Sequence, residues 1–83
     1  MPTMEVVGRV AGFFARPSVA SIDLTAPLRV GVTIYIKGHT TDLQQVVASL
    51  ELDHQPVQMA EAGQRVGLQV SARCRKHDLV YAL

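Results

Sequence analysis

Apolar and polar side chains alternate along this chain in short runs, and the links between runs are only a few residues long. Ala20, Ile22 and Leu24 share one parity between Ser18 and Leu24, and Val32, Ile34 and Ile36 do so between Val32 and Lys37. Val66, Leu68, Val70 and Ala72 repeat the pattern between Arg65 and Ala72. Period-two alternation places one face of a strand in a core and the other in water. Parallel strands need crossovers of about a dozen residues or more, so links this short predict antiparallel pairing.

Two further segments read as strands. Glu5 to Phe14 is rich in valine, and its glycines at 8 and 12 mark a bend or a close backbone approach. Leu79 to Leu83 is a short terminal strand. Arg16-Pro17-Ser18, Thr25-Ala26-Pro27, Gly31 and Gly38 punctuate the runs as turns. His54-Gln55-Pro56 reads as a break, Met59 to Gly63 as a helical turn ended by glycine, and Arg73 to Asp78 as a charged loop.

Asp42 to Leu52 carries two patterns at once. Val46, Ala48, Leu50 and Leu52 make an apolar face at period two, whereas Leu43, Val46, Val47 and Leu50 make one at helical spacing. Thr41 followed by Gln44 supplies a capping pair for the helical alternative. Local evidence leaves both open; the neighbouring strands, together with the resemblance of Val46 to Glu51 to a long strand of a known barrel family, tip the segment towards a strand. The count is then six strands, and a small sheet of this kind buries its apolar face best by closing on itself. The expectation is all-β: one domain over residues 1–83, folded as a small closed antiparallel β-barrel.

Charge and cysteine content narrow the function. Eight Lys and Arg against seven Asp and Glu give a net charge of +1, far from the basic excess of a salt-driven nucleic-acid binder. The single cysteine, Cys74, suits a reducing cytosol, so the expected location is cytoplasmic. Met1-Pro2-Thr3-Met4-Glu5 lacks a basic region followed by an apolar run, so no signal peptide is expected. No apolar stretch approaches the ~20 residues that span a bilayer, and no membrane partner is expected.

Several phrases, in order, resemble the second domain of elongation factor Tu and related translational GTPases. They are Gly8-Arg9-Val10, the stretch Leu28 to Gly38, Val46-Val47-Ala48-Ser49-Leu50-Glu51, and Asp78-Leu79-Val80. Ala60 to Leu68 resembles that family's Ala-x-x-Gly-x-x-Val-Gly hallmark. The resemblance implies a six-stranded barrel module and a stand-alone, elongation-factor-like protein that contacts tRNA or the ribosome. The chain has no Gly-x-x-x-x-Gly-Lys-Ser/Thr loop, so no GTP and no other cofactor is expected. The second reading is a protein-interaction module docking on a larger enzyme or factor.

The candidate contact residues fall in three places. By the resemblance, Glu51 matches a glutamate that helps hold the terminal adenosine of tRNA, with His54 beside it; its strand parity equally gives a solvated outer-face carboxylate. Lys37, His39, Thr40 and Asp42 form the most polar loop, able to hold a phosphate on the backbone near Gly38 or simply to satisfy its own turn. Arg73, Arg75 and Lys76, with His77, form the only local basic cluster, and Arg9 and Arg65 extend it if their strands lie close. Cys74 and His77 are the only near pair of metal-ligand type, too few for a zinc site. No Gly-x-Ser-x-Gly nucleophile motif occurs, and no catalytic residue is expected.

Overall fold

A computed structural model describes residues 4–83; Met1–Thr3, read above for a leader, lie outside the described residues. Ten strands follow in order: β1 (Glu5–Phe14), β2 (Val19–Leu24), β3 (Leu28–Arg29), β4 (Thr33–Lys37), β5 (Asp42–Val46), β6 (Leu50–Leu52), β7 (Gln55–Val57), β8 (Met59–Ala60), β9 (Arg65–Gln69) and β10 (Leu79–Ala82). The described residues contain no helix. Eight strands form one sheet in the order β5-β4-β10-β1-β2-β9-β6-β7, and β3 pairs with β8 in a small second sheet. Every pair is antiparallel.

The alternating runs behave as their pattern requires. Ala20, Ile22 and Leu24 of β2, Ile34 and Ile36 of β4, and Val66 and Leu68 of β9 all point into one core. Leu28 and Ala60, paired across the small sheet, add to that core. Ala72 departs from its expected inward position: β9 ends at Gln69, and Ala72 is exposed while Cys74 turns inward. In β1 the inward side chains are Val7 and Val10, beside the buried Gly8, with Phe13 packed against the core. That spacing of three arises because the register shifts between Val6 and Gly8 and again between Val10 and Gly12. Each bulge inserts a residue and turns the following side chains to the other face.

The closed six-stranded barrel is corrected to an open half-barrel, because β5 and β7 end the sheet and do not pair with each other. Residues 42–52 form two strands instead of one. Between them Val47 is fully buried, its N–H donating to the Val32 carbonyl at 2.8 Å and its carbonyl accepting from Gly31 N–H at 2.9 Å. This pulls the chain inward, so Leu43, Val47, Leu50 and Leu52 pack on the core and Val46 is left exposed. His54 to Pro56 is not a break: β6 and β7 form a hairpin over the two-residue turn Asp53-His54, both with positive φ. Met59-Ala60 is strand, and only the turn at Gly63 (φ 89°) survives of the helical reading.

Where the ladder is missing between β5 and the end of β9, a side chain substitutes for it. Gln45 Nε2 donates to the Gln69 carbonyl at 2.9 Å, and Gln45 Oε1 accepts from Ser71 N–H at 2.9 Å. The amide thus copies the donor and acceptor of a backbone peptide across the seam. Gln45→Ala is expected to cost about 1–2 kcal/mol in urea unfolding and to speed amide exchange at Ser71. An unchanged midpoint and unchanged exchange would show that the seam holds without it.

Candidate functional site

An open groove of about 490 Å³ lies on the outer side of β2, β9 and β6. One wall is the β1–β2 hairpin end, with Phe14, Arg16, Pro17 and Val19; the other is Glu51 with the Asp53-His54 turn. Ser21 and Gly67, directly paired across β2 and β9, lie between them. Gly67 also pairs with Glu51 across β6. Phe14 is 60% exposed, the most exposed large apolar side chain among the described residues.

Arg65 reaches the groove but is already engaged. Its guanidinium donates to both carboxylate oxygens of Asp23, at 2.5 and 3.2 Å. That pairing holds the Asp23 carboxyl below its usual value and raises the arginine. Arg9 stands opposite Asp23 on the other side, so Asp23 sits between two arginines on the outer face. Arg65 is thereby spent on Asp23, whereas Arg9 carries no ion pair among the described residues and pairs in register with Leu79, next to the Arg73–Asp78 loop. Glu51, Asp53, His54 and Arg16 make no side-chain hydrogen bond or ion pair among the described residues.

Of the candidate contact residues, only Glu51 and His54 line this groove. Lys37, His39, Thr40 and Asp42 lie at the β4–β5 hairpin. There Lys37 pairs with Asp42 in register and places Nζ 6.0 Å from the Tyr35 ring centre. The nearby Asp42 carboxylate raises the Tyr35 hydroxyl above its usual value. Gly38 N–H donates to the Thr41 carbonyl at 2.9 Å, a bond made by the backbone of the turn and not by its Thr or Asp side chains.

Arg73, Arg75 and Lys76 are exposed on the β9–β10 loop. Its backbone is tied down from below: Asp78 Oδ2 accepts from Arg75 N–H at 2.9 Å, and His77 N–H donates to the Val10 carbonyl at 2.8 Å. Gly38 packs on Asp78, so this loop and the Lys37–Asp42 loop meet, away from the groove. Phe14, Arg16 and Pro17 escaped the sequence reading, since only the β2-β9-β6 pairing brings them opposite Glu51. The small residue Gly67 inside an alternating strand was the available signal.

Cys74 is buried and faces inward from the loop. Burial, and secondarily the Asp78 carboxylate, push its thiol from 9.0 up to about 11. A raised thiol value means the folded state disfavours the thiolate. The associated stability is intact below pH 9.0 and is lost as pH rises towards about 11. Wild type should therefore lose about 2–3 kcal/mol more than Cys74→Ala across that window in urea unfolding. Parallel pH profiles for the two proteins would refute this.

Among known proteins, no family model matches this chain. It is 41% identical over 78 residues to an uncharacterized protease of Methanocaldococcus jannaschii, a match covering 93% of this chain but only 19% of that protein. Two crystal structures of the C-terminal domain of a putative U32 peptidase from Geobacillus thermoleovorans share its fold. The first, a selenomethionine variant, has a TM-score of 0.87 at 18% identity, covering 92% of this chain and 96% of that one. The second has a TM-score of 0.89 at 17% identity, covering 95% and 92%. These findings overturn the kinship with the second domain of elongation factor Tu and with elongation-factor-like proteins: the relatives are peptidase-type proteins. The phrases that carried the resemblance report geometry that such sheets share, with positive φ at Gly31 and Gly63 and inward Val66 and Leu68. The chain is thus a small all-β unit that matches a fifth-sized portion of a larger protease, 19% of its length.

Proposed function

We propose that this chain is a non-catalytic binding module that works docked on a larger, peptidase-type polypeptide. The observation that carries the reading is the 41% identity to a stretch making up only 19% of a protease. Such a ratio fits an accessory unit beside a body that holds the chemistry. Two hydroxyls are used structurally: Ser18 Oγ donates to the Val70 carbonyl at 2.9 Å, and Ser71 Oγ meets Gln45 Oε1 at 3.3 Å. The buried lone thiol fits a cytoplasmic location.

The docking face is the outer side of β10, β4 and β5. Tyr81 stands between Val6 and Tyr35 in register, with the two rings 6.3 Å apart. Leu83 N–H donates to the Thr33 carbonyl, and Thr33 pairs with Val46. Val6, Val46 and Leu83 are all exposed, which gives this face an apolar strip suited to burial against a partner.

The test deletes the matched residues from the Methanocaldococcus protease and adds this chain in trans. Calorimetry is expected to give a Kd of about micromolar strength, weakened at least about tenfold by Tyr35→Glu. The chain alone is expected to leave casein intact. No association, or hydrolysis by the isolated chain, would overturn the reading.

A further inference from the structure

We propose that the groove between the β1–β2 hairpin end and the Asp53-His54 turn is a binding site for an extended peptide segment carrying a basic side chain. The site is separate from the docking face, which lies on other strands of the sheet.

Gly67 forms the floor of the groove. Its φ is not in the left-handed region, so its backbone does not require glycine. Packing does not require it either. A Cβ built there would lie 3.5 Å from Val19 Cγ1 and 3.9 Å from Glu51 Cβ, which is ordinary contact. Glycine in a strand interior weakens the strand, so its presence here costs the fold something. What glycine does achieve is an open floor between Val19 and Glu51, the width of a missing side chain.

The walls then specify the ligand. Phe14 and Pro17 present exposed apolar surface on one side. Across the floor, Glu51 and Asp53 present carboxylates with no partner among the described residues, while Arg65 is neutralised by Asp23. Unpaired carboxylates facing an apolar wall complement a chain that offers apolar and cationic side chains together. An extended backbone fits, because a peptide in that conformation sends successive side chains to opposite sides. Arg16, at the hairpin end, selects against a second basic residue on the apolar side.

The probes are two short capped peptides, one of alternating leucine and lysine, the other of alternating leucine and glutamate. Each is titrated into the isotopically labelled protein while amide shifts are followed. The lysine peptide is expected to move Gly67, Glu51 and Phe14, and to bind about tenfold more tightly than the glutamate peptide. Gly67→Val should fill the floor and weaken binding at least about tenfold, while its thermal midpoint stays level or rises, valine being favoured in strands. Glu51→Gln, a surface change, should weaken the lysine peptide alone. Equal affinity for both peptides, shifts confined to other strands, no shifts, or full affinity in folded Gly67→Val would each overturn the proposal. Gly67→Val should leave docking on the truncated protease unchanged, so failure of one reading is distinguishable from failure of the other.

Discussion

Gly38→Ala will destabilise the protein by about 2–4 kcal/mol, a large share of the roughly 4–12 kcal/mol expected of a chain this size. A Cβ at this position would overlap the Asp78 carboxylate. Asp78 is a buried charged residue, 5% exposed, and it cannot move aside freely. Its Oδ2 caps the loop through Arg75 N–H at 2.9 Å, and its own carbonyl accepts from Val10 N–H at 2.8 Å. Gly38 is held equally firmly, since Lys37 pairs with Leu79 and Gly38 N–H bonds to Thr41. The methyl group therefore has to break the Arg75 bond or push β4 and β10 out of register. Urea unfolding gives the magnitude, and Asp78→Ala tests the cause. In that background the alanine at 38 should cost less than about 1 kcal/mol. A loss below about 0.5 kcal/mol in wild type would mean that the loop yields easily.

The inward faces of β2, β4 and β9 were legible because alternation is a local property, and burial follows it at Ile22, Ile34, Ile36, Val66 and Leu68. Two features were not. In β1, the inward set Val7, Val10 and Phe13 depends on where bulges fall; the glycines marked the irregularity without giving its register. In residues 42–52, Leu43, Val47 and Leu50 resemble a helical face, yet the spacing comes from a strand, an inward link and another strand. Backbone bonds from Gly31 and Val32 impose that link, and they are contacts no local pattern encodes. The site was legible to the same degree. Glu51 and His54 do share a groove, but the hairpin end that faces them is brought there by long-range strand pairing. The apparent kinship failed for a related reason: turn glycines and inward valines are demanded by sheet geometry and carry little ancestry.

Ile22→Ala will cost about 2–5 kcal/mol, and its effect will be coupled to Gly8. Ile22 is fully buried on β2, paired with Val10 on one side and Val66 on the other. Truncation leaves a cavity that two registered neighbours prevent from collapsing. Gly8 lies just beyond it on β1, where a Cβ would sit 2.8 Å from Ile22 Cγ2 and 2.9 Å from the Asp23 carbonyl oxygen. Gly8→Ala alone should therefore cost about 1–3 kcal/mol through overpacking. In the double variant the Ile22 methyl is gone and the new methyl occupies some of the space it left. Only the clash with the Asp23 carbonyl remains. The combined loss should then fall short of the sum by about 1 kcal/mol. Ile22→Val supplies the control, because it removes only the terminal methyl and keeps Cγ2. In that background Gly8→Ala should retain its full cost. Additivity within about 0.3 kcal/mol in the alanine background would show that the Asp23 carbonyl, and not the Ile22 side chain, is what excludes a side chain from position 8.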